Sequence, residues 1–340
     1  MCGRSSLHSI ARAKDGQGKP PTSAPMLYPV YVRQGKRSQR YKAGFINATG
    51  ETIIEPVFED ARPFSEGLAS VQLGGKWGAI DLAGDLVIPC VHTVGLHFSS
   101  GVAQFERGPL SGLLARDGAV ILPPKFWSIS SFRKGDGLAY VWDGSLFGFI
   151  NVKGEQVIPM FFEEAREFSD GIAPVRLNGK WGYIDRSATF VIEPTFEAAM
   201  PFSEGLARVS VEGRWGYIDR QGRFVIPPRY EMGLDFRLGV ASAAQEKGGP
   251  YGFIDTSGGF VIEPAYVYPK YFSEGLAAVT PVGQSFQQFI DTRGKRAFAG
   301  EYLGTHDFQD GLCRVATLKV TAYINRQGQA IWEGPYVDHP

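Results

Sequence analysis

The stretch "PCVHTVGLHF" gathers Cys90, His92 and His97, three side chains that could ligate a metal. Their spacing matches none of the common zinc signatures, and no second cluster nearby completes a four-ligand set. Cys313 and His306 could approach them only if the chain closed on itself. Cys2 would become an N-terminal thiol nucleophile after removal of the initiator methionine. A nucleophile needs a base and an oxyanion site around it, and the residues that follow supply neither. No Walker A, HExxH, GxSxG or GxGxxG signature is present, and "LGGKWG" reads as a hairpin turn rather than a phosphate loop. The expectation is a protein without catalytic, metal or cofactor residues.

Acidic residues recur instead. Glu66, Asp136, Asp170, Glu204, Glu274 and Asp310 each precede a glycine; Ser100 and Leu238 interrupt the row. Turn chemistry explains such residues. An acidic rim for cations or a basic partner is the sharper alternative. A second row runs Asp81, Asp185, Asp219, Asp255 and Asp291, with Asn47, Asn151 and Asn325 in the same role. Asparagine replaces aspartate freely there, so hydrogen-bond capping accounts for the row better than charge.

Both rows are marks of an internal repeat. The phrase "KWGYIDRSATFVIEP" returns 34 residues later as "RWGYIDRQGRFVIPP". Nine units are counted by the residue before Ile or Leu in the "YID"-like phrase: Phe45, Ala79, Leu113, Phe149, Tyr183, Tyr217, Phe253, Phe289 and Tyr323. Phe64, Phe98, Phe132, Phe168, Phe202, Phe236, Phe272 and Phe308 keep the same register, with steps of 34 to 36 residues. A period of this length marks a repeat architecture, in which each unit buries its apolar face against its neighbours. Within a unit, "LARVSV" alternates apolar and polar residues, "WGYID" and "RFVI" follow after short turns, and prolines stop the last strand. Each unit is expected to be a three-stranded antiparallel meander followed by a loop of roughly ten residues, with the recurrent phenylalanine as the plug between units. The array is all-β and spans 27–335. Residues 1–26 read as a disordered arm and 336–340 as a tail.

Glycine is the fourth residue of the turn after "YID" in eight units; Ala188 replaces it in unit five. A positive φ is expected there, so Ala188→Gly is expected to gain a few tenths to about 1 kcal/mol. Nine complete triplets need no blade shared between the termini. That favours an open or superhelical stack slightly over a propeller-like ring.

The chain has 340 residues, 44% of them hydrophobic, and no net charge. Charge balance argues against a nucleic-acid partner. No apolar run is long enough to span a membrane, and the first residues hold no signal-peptide core. Three distant cysteines do not make a disulfide framework, so a reducing cytoplasm is the expected compartment.

"GKWGAID", "GKWGYID" and "GRWGYID", with "VIEP" or "VIPP" and "FSEGLA", resemble the WG-repeat family, also called KWG repeats, over roughly 28–334. The start "MCGR" is also similar to the abasic-site-crosslinking SRAP domain, but over four residues only. The WG resemblance implies a bacterial-type β-rich repeat array and no reaction. The expected function is a non-enzymatic scaffold for a protein partner; the alternative is a ligand-binding or enzymatic site in the central channel of a closed ring. Two loops depart furthest from the common phrase and carry aromatics beside cations. They are Lys125, Phe126, Trp127, Arg133 and Lys134 in unit three, and Tyr266, Tyr268, Lys270 and Tyr271 in unit seven. Such groups suit protein contacts.

Overall fold

The computed structural model describes residues 26–35, 41–133 and 135–336. The sequence readings of residues 1–25 as a disordered arm, of Cys2, of Lys134 and of residues 337–340 lie outside them. The described residues form 33 strands and no helix. All strand pairing is antiparallel, in eight sheets arranged as a β-propeller ring. Seven sheets carry one unit each. The join between units seven and eight differs: the strand Phe260–Val267 continues past unit seven and pairs Tyr266 and Val267 with Pro281 and Thr280. Units seven and eight therefore share a six-stranded sheet.

Most units hold four strands rather than the three expected. The extra strand is two residues long and lies inside the presumed loop: Ala198–Ala199, for example, pairs with Ser210 and Val209. It carries the chain from the outer strand of one unit to the plug residue of the next.

Turn chemistry sets the register. Glu204 and Gly205 both take positive φ, 52° and 79°, and Ser203 and Leu206 exchange two backbone hydrogen bonds across them. That is a type I′ hairpin, whose twist matches the strands it joins. After "YID", the Asp219 carboxylate accepts from the amides of Gln221 and Arg223 at 2.9 and 3.0 Å. Asn47 does the same for Thr49 and Glu51 at 3.0 Å each, so the row caps turns and charge is incidental.

The glycine of "WG" and the proline of "VIPP" belong to one device. Trp215 pairs with Tyr230 but Tyr217 pairs with Ile226, so Pro227, Pro228 and Arg229 bulge opposite Gly216. A Cβ at Gly216 would sit 2.6 Å from the Ile226 carbonyl oxygen and 2.7 Å from the Pro228 nitrogen. Gly182 and Gly44 face the same crowding. Unit eight has Gln288 in this place, and its third strand is reduced to two isolated bridges, Ile290 with Arg296 and Gln287 with Tyr302.

The recurrent phenylalanines are buried between units. Phe202 of unit six is 1% exposed and meets the ring of Tyr183 of unit five edge-on at 5.1 Å. Phe236 repeats this on Tyr217 at 4.9 Å, and Phe64 on Phe45 at 4.9 Å. The Ser169 hydroxyl donates to the Phe202 carbonyl at 2.6 Å, and Ser203 to that of Phe236 at 2.7 Å.

The ring closes, against the slight preference for an open stack. The seam repeats the contacts found elsewhere. A Cβ on Gly222 would meet Ile192 of the preceding unit at 3.2 Å, and one on Gly294 would meet Ile262 at 3.0 Å. One on Gly50 of unit one would lie 2.5 Å from the Ile331 carbonyl oxygen of unit nine. The plug at the seam is a tyrosine from the first strand, Tyr28–Arg33. Tyr28 packs on Tyr323 at 5.4 Å, and its hydroxyl donates to the Asp310 carbonyl at 2.8 Å. No blade has to be shared because unit one brings its own three strands to the seam.

Ala188 has φ of 63°, and its turn keeps the hydrogen bonds of the others, Ala188 N to Asp185 O at 3.1 Å and Asp185 N to Thr189 O at 2.9 Å. Its methyl packs against the buried cluster containing Phe149, Ile158 and Phe162. Lost methyl contact and added unfolded-state entropy now oppose the relief of strain. Ala188→Gly should therefore shift stability by less than about 0.5 kcal/mol, while Ala188→Val, β-branched at positive φ, should lose more than about 1 kcal/mol. Urea unfolding of both variants checks this; a tolerated valine would refute the turn assignment.

Candidate functional site

The acidic row before the glycines ties units together. Glu66 accepts from the amides of Ser100 and Gly101 of the next unit, both at 2.8 Å. Glu204 does so for Leu238 and Gly239 at 2.7 and 2.9 Å, and Glu274 for Gly311. Arg186 and Arg220 reach back from "DR" turns to Asp136 and to the Asp170 carbonyl. The carboxylates of Glu66, Asp136, Glu204 and Glu274 are thus engaged in joins between units, which weakens the reading of the row as a free acidic rim.

Cys90 and His92 lie on the strand Leu86–His92, and His97 precedes the plug Phe98. His92 packs edge-on to Phe105 at 5.8 Å, and burial lowers its pKa. The Cys313 thiol donates to the His306 carbonyl at 3.0 Å, and burial pushes its pKa up to about 12. Among the described residues no three His, Cys, Asp or Glu side chains converge as a metal would require.

The two variant loops separate into three environments. Phe126 and Tyr266 are buried, 3% and 8% exposed: Phe126 ends the strand Val120–Phe126, Tyr266 lies within Phe260–Val267, and each joins a unit core. They are packing residues, not surface. Trp127 and Tyr268 are exposed, 51% and 78%, and Arg133 is exposed. The Lys125 ammonium stays over the Phe126 ring at 5.2 Å. Lys270 and Tyr271 turn instead to the ring interior. The Lys270 ammonium donates to the Thr305 carbonyl, and Tyr271 lies under Arg237 with its hydroxyl 3.4 Å from Asp235.

Trp127 occupies a position where other units place glutamate. Glu59, Glu163 and Glu197 accept from a hairpin amide of the next unit, those of Gly75, Gly179 and Gly213, at 2.8 to 3.0 Å. An indole cannot accept, and Trp127 lies against Gly144 of the unit-four hairpin. Beside it is an aromatic row: Trp127 to Trp142 at 6.3 Å, Trp142 stacked on Phe147 at 6.2 Å, Phe147 to Tyr140 at 5.9 Å. Registers place Gln72, Arg176, Ser210 and Ala316 where unit four has Trp142. Leu146 in the same hairpin is 36% exposed. Sequence reading missed Trp142; only comparison of equivalent positions would have found it.

A second feature lines the ring interior. A cavity of about 420 Å³ is walled by Leu234, Pro269, Lys270, Tyr271, His306 and Asp307, which immediately precede the plugs of three successive units. A larger one of about 520 Å³ lies between unit nine and units one and two.

The WG-containing-repeat model matches residues 44–77, 77–108, 147–181, 181–215, 215–247 and 251–280, more than half the chain. The chain belongs to the WG-containing-repeat family. Its WG glycines are the bulge positions described above, and the family signature is therefore a packing signature. No curated protein matches the chain significantly. Among solved structures, this WG-repeat ring is similar to a eukaryotic initiation factor, with a TM-score of 0.64 at 11% identity, over 92% of this chain and 96% of that one. Dihydro-heme d1 dehydrogenase NirN aligns with a TM-score of 0.49 at 12% identity, over 94% and 75%. Virginiamycin B lyase from Staphylococcus aureus aligns with a TM-score of 0.40 at 12% identity, over 69% and 92%. At 11% identity the likeness to the initiation factor speaks to the fold alone.

Proposed function

We propose that this WG-repeat ring is a non-enzymatic docking scaffold, and that the rim of unit four, with Trp127, Trp142 and Phe147, receives a protein partner. The observation that carries the reading is the partly exposed pair Trp127 and Trp142: other units hold glutamate at the first position and Gln72, Arg176, Ser210 or Ala316 at the second, and Trp142 stacks on Phe147, which stands where other units place the WG tryptophan. Exposed, stacked aromatics offer large contact area at low entropic cost, the character of interface anchors. The free thiols of Cys90 and Cys313 suit a reducing cytoplasm.

A photo-crosslinking residue placed at 127 and, as control, at Phe224, which is 42% exposed on unit six, tests this in the native host. A discrete adduct at 127 absent at 224 is expected. Trp127→Ala should remove the partner and cost about 1 kcal/mol or less, as surface positions do. A sharp loss of stability with every partner retained would make the row a packing feature.

A ligand site in the ring interior is the second reading, favoured by the two cavities there.

A further inference from the structure

The cavity of about 520 Å³ is within the size range of small-molecule sites. Its walls include Tyr28, Tyr31, Tyr323 and Leu312, all buried. Two arginines, Arg314 and Arg62, line the same space. Among the described residues neither is within ion-pair distance of a carboxylate. Arg62 lies over the Trp77 ring at 5.2 Å, and the Arg314 Nη1 is 3.4 Å from His306 Nε2.

The repeat supplies its own template for Arg314. Arg208 of unit six occupies the equivalent position: Arg208 is opposite Tyr217 and Arg314 opposite Tyr323. Arg208 donates through Nε to the Asp235 carboxylate at 3.0 Å, with its side chain only 11% exposed. Asp235 precedes the plug Phe236, which packs on Tyr217. At the seam the plug on Tyr323 is Tyr28, delivered from a different strand. The residue before that plug is Leu27, so no carboxylate stands where Asp235 meets Arg208.

We infer that this seam cavity binds a small organic monocarboxylate with an apolar or aromatic body, its carboxylate held by Arg314 with Arg62 nearby. A single carboxylate fits better than a phosphate dianion. Asp60 and Asp307 also line the cavity and repel a second negative charge. Asp60 is held there by the Tyr31 hydroxyl at 2.5 Å and the Ala61 amide at 2.8 Å. His306 adds no charge at neutral pH, because burial and the neighbouring Arg314 and Lys270 lower its pKa. Recognition therefore rests on a directed guanidinium–carboxylate pair, with the tyrosine and leucine walls covering the body of the ligand.

This inference goes beyond the docking rim, and its failure leaves that reading intact. Calorimetric titration of the full chain with 3-phenylpropionate tests it. Saturable binding is expected, weakened roughly tenfold to a hundredfold in Arg314→Gln, the worth of a charged hydrogen bond. Arg223→Gln, at an exposed turn, should bind as the parent does. Inorganic phosphate binding as tightly as the acid, unchanged binding by Arg314→Gln, or no saturable binding would each overturn the inference.

Discussion

Phe202→Ala is expected to destabilise the protein by about 3–5 kcal/mol, the range for deleting a large buried aromatic. Phe202 is 1% exposed within a cluster that draws Tyr183 and Ile192 from unit five and Val209 and Ile218 from unit six. Removing it leaves a cavity that neither sheet can fill, since both backbones are pinned by the Ser169 bond to the Phe202 carbonyl and by the Met200 carbonyl, which accepts from the Tyr183 hydroxyl at 2.8 Å. Phe202→Leu should recover part of the loss. Damage in a ring of nearest-neighbour contacts is local. Hydrogen exchange should rise first in units five and six and least in units one and two. A uniform rise along the chain, or none, would contradict a core divided into separate inter-unit clusters.

Phe202 was readable because it recurs. A plug needed at every join leaves a periodic mark, and so does the glycine that a proline bulge crowds. Features that occur once leave no such mark. The seam closes through Tyr28, which enters from a strand rather than from the position before a turn, so the phenylalanine register ends short of it. The two-residue strand Ala198–Ala199 is too short to show alternation. The neighbours Phe126 and Trp127 divide by which side of the backbone they leave, and Tyr268 lies past the end of its strand at a φ of 51°. Phe126 and Tyr266 enter cores while Trp127 and, two residues on from Tyr266, Tyr268 face solvent, a distinction composition cannot make. Trp142 sits in an ordinary strand and gains meaning only when its equivalents prove to be glutamine, arginine, serine and alanine. Arg314 is the same kind of residue: the pairing of Arg208 with Asp235 is what makes its own surroundings informative.

Closure of the ring makes the second large prediction. Tyr28→Ala should cost about 3–5 kcal/mol, comparable to losing an internal plug. Tyr28 is 6% exposed and packs with Val30, Ile46, Leu312 and Tyr323 in the cluster that joins the two ends of the array. Its hydroxyl also satisfies the Asp310 carbonyl, and Tyr323 reciprocates by donating to the Pro29 carbonyl at 2.9 Å. Tyr28→Phe keeps the ring contact and forfeits the hydrogen bond, so it should lose only about 0.5–1.5 kcal/mol. The location of the damage separates this site from Phe202. Exchange should rise in units nine and one, and a spin-label distance between Glu51 and Gln329, both at turns flanking the seam, should broaden in Tyr28→Ala but stay narrow in Phe202→Ala. An open array would show the opposite pattern. Its ends would already be broad in the parent protein, and Tyr28→Ala would cost no more than trimming an end residue. Because every internal unit has two neighbours, only a seam as costly to break as an internal join makes units one and nine equivalent to the rest.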